Sequence, residues 1–205
     1  MSEWLLALHS STETLGMALV DARLSIDHAQ VQCRSLGRAL TNELVCSVQD
    51  LLPTQQWSQI TRLAVATGPG GFTGTRLTVV LARTLAQQLN VPLHGISSFA
   101  LMAPRLCRAL PESERSSPFS IIQTLPRRGQ VAGRYRIVDG MADELEVPRL
   151  LDPDEQPSPA VSMTVDVPAD VLQLLRCCRV FHDTQRAGPW DPVLPIYPTS
   201  PVGTV

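Results

Sequence analysis

Four glycines fall within seven residues, Gly68-Pro69-Gly70-Gly71-Phe72-Thr73-Gly74, and both flanks of that run are regular. Before it lies an apolar stretch, Leu63 to Thr67. After it, from about Thr75 to Leu89, apolar residues recur with helical spacing, with Leu77, Val80, Leu81 and Leu85 or Ala86 read as inward. Glycine tolerates the left-handed and close-approach backbone that other residues resist, so the run is a tight turn joining a strand to a helix. The chain returns in another short apolar run, Val91 to Ile96. A strand, a helix and a second strand in this order make a parallel crossover, which commits the region to an α/β fold.

The residues upstream extend the sheet. Trp4 to Leu8, Leu15 to Val20 and a run near Leu24 to Val31 read as three meandering strands, separated by polar turns at His9 to Glu13 and Asp21 to Arg23. From Leu36 the period lengthens: Leu36, Leu40, Leu44, Val48 and Leu51 form one stripe of a helix that stops before Pro53. Ser97 or Ser98 is placed to cap a third helix. Beyond Pro104 the signals weaken. Phe119 to Thr124 and Gln130 to Val138 read as a strand pair, Pro148 to Pro159 as an extended loop, Met163 to Val167 as a strand, and Pro168 to Cys178 as a short helix. Pro192, Pro195, Pro198 and Pro201 rule out regular helix at the end. The expected division is therefore residues 1–103, carrying the glycine loop, and a smaller, less regular lobe at residues 104–205.

Composition narrows the chemistry. All 17 basic residues are Arg, which removes P-loop, Schiff-base and kinase-type lysines. Aromatics make up 4% and the net charge is -2, so neither stacking platforms nor a global attraction to nucleic acid is expected. One region departs from that balance: between Leu51 and Pro111 there are five arginines and no acid. The five cysteines lack CxxC spacing and fit buried free thiols better than a disulfide set or a zinc site. No basic segment leads an apolar one at the start, and no apolar run approaches the ~18 residues of a membrane span. A soluble, cytoplasmic protein is expected.

The glycine loop fails two nucleotide-binding patterns. A Walker A loop needs Gly-Lys-Ser/Thr, and no Lys exists. A dinucleotide fingerprint needs a third glycine where Thr73 stands and an acid about 20 residues on, and both are missing. A tight turn that lets helix pack closely on sheet accounts for Gly68, Pro69, Gly70, Gly71, Phe72, Thr73 and Gly74 without a ligand.

Taken whole, the string from Ala64 through Thr67-Gly68-Pro69-Gly70-Gly71-Phe72-Thr73-Gly74-Thr75-Arg76 to Ile96-Ser97-Ser98 resembles the signature of the TsaB (YeaZ) family. That family runs Gly-Pro-Gly-Ser-Phe-Thr-Gly-Leu-Arg; here Gly71 replaces Ser and Thr75 replaces Leu. Leu6-Ala7-Leu8-His9-Ser10-Ser11-Thr12-Glu13 looks like its Leu-Ala-Ile-Asp-Thr-Ser-Thr-Glu. Arg127-Arg128-Gly129-Gln130-Val131 is similar to its Arg-Arg-Gly-Glu-Val, with Leu125 and Ala132 where its Asp and Tyr belong, and Pro195-Ile196-Tyr197 is similar to its closing Pro-x-Tyr.

The resemblance implies an actin-like ATPase (ASKHA) architecture: two RNase H-like lobes, the second here reduced and irregular. It implies a non-catalytic subunit that pairs with a TsaD-like enzyme, which transfers threonylcarbamoyl to adenosine 37 of tRNA. A TsaE-like ATPase is implied as a further partner, a homodimer as an alternative pairing, and tRNA contact only through the complex. No membrane, cofactor, metal or catalytic residue is expected. The catalytic relative's His-x-x-x-His pair has no counterpart among His9, His28, His94 and His182. His9 occupies the position of the first-turn Asp that handles nucleotide-bound magnesium in this architecture, and is read instead as a side chain capping its turn. Pairing in the family uses the two helices of the first lobe. Neighbouring residues diverge by ~100° around a helix, so Val45, Val79 and Arg83, with Thr75 and Arg76, are the expected partner contacts. The rival readings are a glycoprotease-like peptidase or ATP-dependent transferase of the same fold, and a self-pairing regulatory homodimer.

Overall fold

Residues 2–199 are described by a computed structural model. Its first sheet contains β1 (Trp4–His9), β2 (Thr14–Asp21), β3 (Gln30–Ser35), β4 (Ile60–Ala66) and β5 (Leu93–Ile96) in the order β3-β2-β1-β4-β5. The first three strands are antiparallel, and β4 and β5 join parallel to β1. This is the sheet of an RNase H-like lobe. Alternation along each strand sends Leu6, Leu8, Leu15, Met17, Leu19, Leu63 and Val65 to one face. There they pack beneath α1 (Leu40–Leu51) and α2 (Phe72–Leu89). Helix α1 gives Leu40, Leu44, Val48 and Leu51 to this core, the stripe its period predicts. Burial of each such side chain is worth about 1.5–3 kcal/mol before chain entropy is subtracted.

The opposite face of the same sheet is covered by a helix distant in sequence, α4 (Val167–Asp183), which packs on β1, β2 and β4. Its N-cap is Asp166, whose side chain accepts from the Ala169 N–H at 3.1 Å, and Pro168 sits in its first turn. Gly16 admits this helix, because a side chain there would meet Val167 and Val171. Arg179, further along α4, donates to the backbone carbonyls of Asp21, Ala22 and Leu24 and holds the turn after β2.

A second sheet contains β6 (Phe119–Leu125), β7 (Gly129–Val138), β8 (Met141–Leu150) and β9 (Ala160–Ser162), ordered β8-β7-β6-β9. Two antiparallel pairs and one parallel pair repeat the first four positions of the first sheet in shortened form, a repeat that residue identity does not reveal. Helix α3 (Ser98–Leu106) packs on β7 and β8, capped by the Ser97 hydroxyl. Buried Tyr135 donates to Glu144 at 3.2 Å, and Ser97 donates to the same carboxylate at 2.5 Å. The α/β class and the paired RNase H-like lobes are therefore as the sequence implied.

The compact units divide the chain differently from a boundary at residue 104. One comprises 1–96 with 166–195; the other comprises 97–165 and the segment from Ile196. Helix α4 returns to the first sheet, and α3 belongs wholly to the second unit, continuing through Pro104 to Leu106. Three local expectations also shift. The third strand begins at Gln30, because Ser25 caps a short 3-10 turn over Ile26–His28. Strand β8 occupies residues not assigned from sequence, running through Pro148, and β9 replaces the strand expected at Met163 to Val167. Cys33 and Cys46 are exposed, whereas Cys107, Cys177 and Cys178 are buried. Pro201 lies outside the described residues. Among those described, no helix is long and apolar enough to cross a membrane.

Candidate functional site

The glycine loop is pressed onto the turn that follows β1. Gly68 has φ 91°, which a side chain resists, and the Gly68–Pro69 peptide is cis. A Cβ on Gly70 would overlap the carbonyl oxygen of Ser11, and one on Gly74 would lie 2.7 Å from that of Ser10. The Gly71 N–H donates to the Ser11 carbonyl at 2.7 Å. Just inside α2, the hydroxyls of Ser10 and Thr78 share a buried hydrogen bond of 2.6 Å. A backbone N–H before a helix N-terminus is a natural anion donor; here that of Gly71 is taken by the protein's own carbonyl.

His9 closes β1 and is fully buried, with no hydrogen-bond partner at Nδ1 or Nε2. It therefore does not cap its turn, contrary to the reading from sequence. Burial lowers its pKa from 6.5 to about 4, so the ring is neutral near pH 7. It stands opposite Gly16 in the β1–β2 register, and the missing side chain there leaves room on the face that α4 covers. Among the described residues no group of three His, Cys, Asp or Glu side chains is arranged to hold a metal ion.

Helices α1 and α2 turn their outer sides away from the first sheet. Val45 on α1 is 43% exposed and Val80 on α2 is 54% exposed. Arg76 is exposed as well, and Arg83 is half-buried with its guanidinium carbon 5.5 Å from the centre of the Trp190 ring. Two expected contacts are corrected: Val79 is 1% exposed and Thr75 is 2% exposed, so both belong to the interior. The inward stripe of α2 is Thr75, Thr78, Val79, Ala82, Leu85 and Ala86. Helical spacing turns Val80 inward, but α2 is rotated so that its equal neighbour Val79 packs on the sheet, in keeping with the close approach of Gly74 to the Ser10 carbonyl and the hydroxyl pair of Ser10 and Thr78. That glycine was the available signal.

Phe72, read only as part of the turn, is 40% exposed at the start of α2. It borders a cleft of about 600 Å³ lined also by Glu13, Arg38, Leu40, Thr41 and Leu77. In the second unit, Arg127 and Arg128 occupy the exposed β6–β7 turn, with Arg127 at φ 64°. Arg62, one of the five arginines of the acid-free stretch, is no surface charge. It is buried and donates to His94 Nε2 at 2.6 Å and to the Arg186 carbonyl at 2.7 Å.

Comparison with known proteins bears on this arrangement. The family profile described as "TsaD: tRNA N6-adenosine threonylcarbamoyltransferase" matches residues 35–151. The "tRNA threonylcarbamoyladenosine biosynthesis protein TsaB" of Bacillus subtilis (strain 168) is 32% identical over 108 residues, covering 48% of this chain and 43% of that protein. Its namesake in Escherichia coli (strain K12) is 33% identical over 101 residues, covering 48% and 42%. The aligned stretches thus span less than half the length of either relative. A crystal structure described as an uncharacterized protein from Pseudomonas aeruginosa with similarity to peptidase YEAZ superposes with a TM-score of 0.74. It covers 96% of this chain and 100% of that one at 21% identity, a likeness of fold.

Proposed function

The chain belongs to the TsaB/YeaZ family, within the threonylcarbamoyltransferase group whose profile it matches, and from that premise we propose that it is a partner subunit rather than a catalyst. It docks to a TsaD-like enzyme and supports the formation of threonylcarbamoyladenosine at position 37 of tRNA; its relatives' names support the part in tRNA threonylcarbamoyladenosine biosynthesis. A TsaE-like ATPase joins the same assembly, and tRNA meets this chain only through the complex.

The observation that carries this reading is the outer side of α1 and α2. Val45 and Val80 lie exposed there, and Phe72 stands beside an open cleft at the start of α2. Exposed apolar side chains on these two helices suit a protein contact. Arg76 and Arg83 add charge for orientation. The loop and His9 support the same view. The Gly71 N–H that could meet a phosphate is spent on Ser11, and a neutral imidazole stands where the resemblance places a magnesium-handling carboxylate.

The test is co-purification with the TsaD-like subunit and reconstitution of the tRNA modification with and without this chain. Val80→Glu is expected to abolish co-purification while leaving the thermal transition nearly unchanged, since the position is exposed. Unaltered pairing, or nucleotide hydrolysis or RNA modification by the pure chain alone, would overturn the proposal. If light scattering finds stable pairing of this chain with itself that Val80→Glu also breaks, and no binding to the enzyme, then self-association replaces heterodimer formation as the function of this face.

A further inference from the structure

The second unit holds a polar cleft of about 240 Å³ on the outer face of its sheet, remote in sequence from α1 and α2. Its floor is Ser120, Ala132 and Gly133, and its walls are Arg134, Glu146 and Arg149 on one side and Glu155, Gln156 and Pro157 on the other. At liquid density the volume holds about eight waters. We propose that this cleft binds a small anion bearing a carboxylate or phosphoryl group, with Arg134 as its principal ligand.

The pairing of β7 with β8 is irregular around Arg134. Arg134 lies opposite Glu146, yet the register slips on both sides of this pair, between Ala132 and Arg134 and again between Arg134 and Tyr135. The extra residues fall on β8 around Leu145, Val147 and Pro148, and proline can give no ladder hydrogen bond. Such irregularities re-aim side chains. Here the side chains of Arg134 and Glu146 do not pair although the residues face each other, and the Arg134 guanidinium makes no hydrogen bond or ion pair among the described residues.

The other charges of the cleft are engaged differently. Arg149 makes a two-pronged bond to Glu155, at 2.8 and 2.6 Å, and the same carboxylate accepts the Asp152 N–H at 2.7 Å. Arg149 first, and then that backbone donor, hold the Glu155 pKa down to about 2, so Glu155 stays ionised and committed. This bond ties the 151–159 loop down as a wall, and hydrogen bonds from Leu151 to Gln130 and from Ser120 to Pro159 fasten its two ends. Glu146 reaches Arg149 only at 3.9 Å. What remains is a cleft with a built wall, a floor of small residues and a solvent-facing guanidinium that no carboxylate or carbonyl of the described residues engages.

A planar guanidinium recognises carboxylate and phosphoryl oxygens through paired hydrogen bonds. Buried Ser120 brings a hydroxyl to the floor and Gln156 brings an amide to the wall. Glu146 opposes the anion, so affinity in the millimolar range is expected, and a ligand carrying an ammonium group near its carboxylate gains from that residue.

The test is amide NMR of the full chain titrated with inorganic phosphate, malonate or glutamate at constant ionic strength. Saturable shifts are expected at Ser120, Gly133, Arg134 and Gln156, and which probe saturates first separates phosphoryl from carboxylate recognition. Arg134→Gln should weaken binding at least about tenfold, and Arg134→Lys, which keeps the charge but not the fork, should fall between the two. Because Arg134 is exposed, the thermal transition should barely move. Shifts that grow linearly without saturation, or that are equal in wild type and Arg134→Gln, would overturn the proposal. Loss of binding to the enzyme would leave this result untouched, so the two proposals fail separately.

Discussion

A buried imidazole without a partner should leave a clear mark on stability as pH falls. The folded chain holds the His9 pKa near 4 against 6.5 for the free side chain, because burial penalises the charged ring. The unfolded state therefore binds a proton more readily between those values. By linkage, the stabilising difference is fully present above pH 6.5 and is lost as pH drops toward 4. A gap of about 2.5 units at about 1.4 kcal/mol per unit amounts to about 3 kcal/mol, a large share of a typical domain's net stability. His94 contributes to the same window: its pKa is lowered to about 4 by burial and then by the cations of Arg62 and Arg186, and its Nε2 contacts the Arg62 guanidinium. A single wild-type curve cannot separate the two rings. His9→Leu can: urea unfolding of both proteins at several pH values between 7 and 4 should give curves that diverge by about 3 kcal/mol at the acid end. At pH 7 the variant should be no less stable, since two unpaired polar atoms have been removed from the interior. If both proteins lose stability with identical slope, or if the His9 ring titrates near 6.5 by NMR, the assigned burial is wrong.

Two further substitutions test the packing directly. Val79→Glu would place a carboxylate in the first core, and a loss of about 3–5 kcal/mol is expected by denaturant unfolding; a loss under about 1 kcal/mol would show that α2 is rotated from the stripe described. Gly70→Ala should cost about 1–3 kcal/mol, since its new methyl would occupy the position of the Ser11 carbonyl oxygen and the loop must move away. A melting temperature equal to that of wild type would contradict the close contact.

The crossover from β4 through the glycine loop and α2 to β5 was legible because each part has its own local signal: an apolar run, glycines and a helical period. The rotation of α2 was not. Val79 and Val80 are equally apolar neighbours, and only the approach allowed at Gly74, together with the hydroxyl pair of Ser10 and Thr78, settles which of them faces the sheet. Strand β8 was missed for a different reason. It is an edge strand whose residues from Asp143 to Val147 are all exposed, so it lacks the alternation that betrays a half-buried strand, and Pro148 argues against it. Nor did sequence reveal that His9 is enclosed, because the enclosing surface comes partly from a helix more than 150 residues later. The same long return explains the boundary at 104: the stripe of α4 announces an apolar face but not which sheet it covers. The cleft around Arg134 depends on strand register and on a loop that reads only as proline-rich.

The return of α4 also sets an order of assembly during synthesis. Until the ribosome has made residues 166–195, the first sheet has Leu5, Ala7 and Val20 without their covering helix, while residues 97–165, the sheet-bearing part of the second unit, are already available to fold. The earliest-made sheet thus waits for its cover until the second sheet has been synthesised, and in the interval its unsheltered surface is one that a chaperone could shield and another nascent chain could stick to.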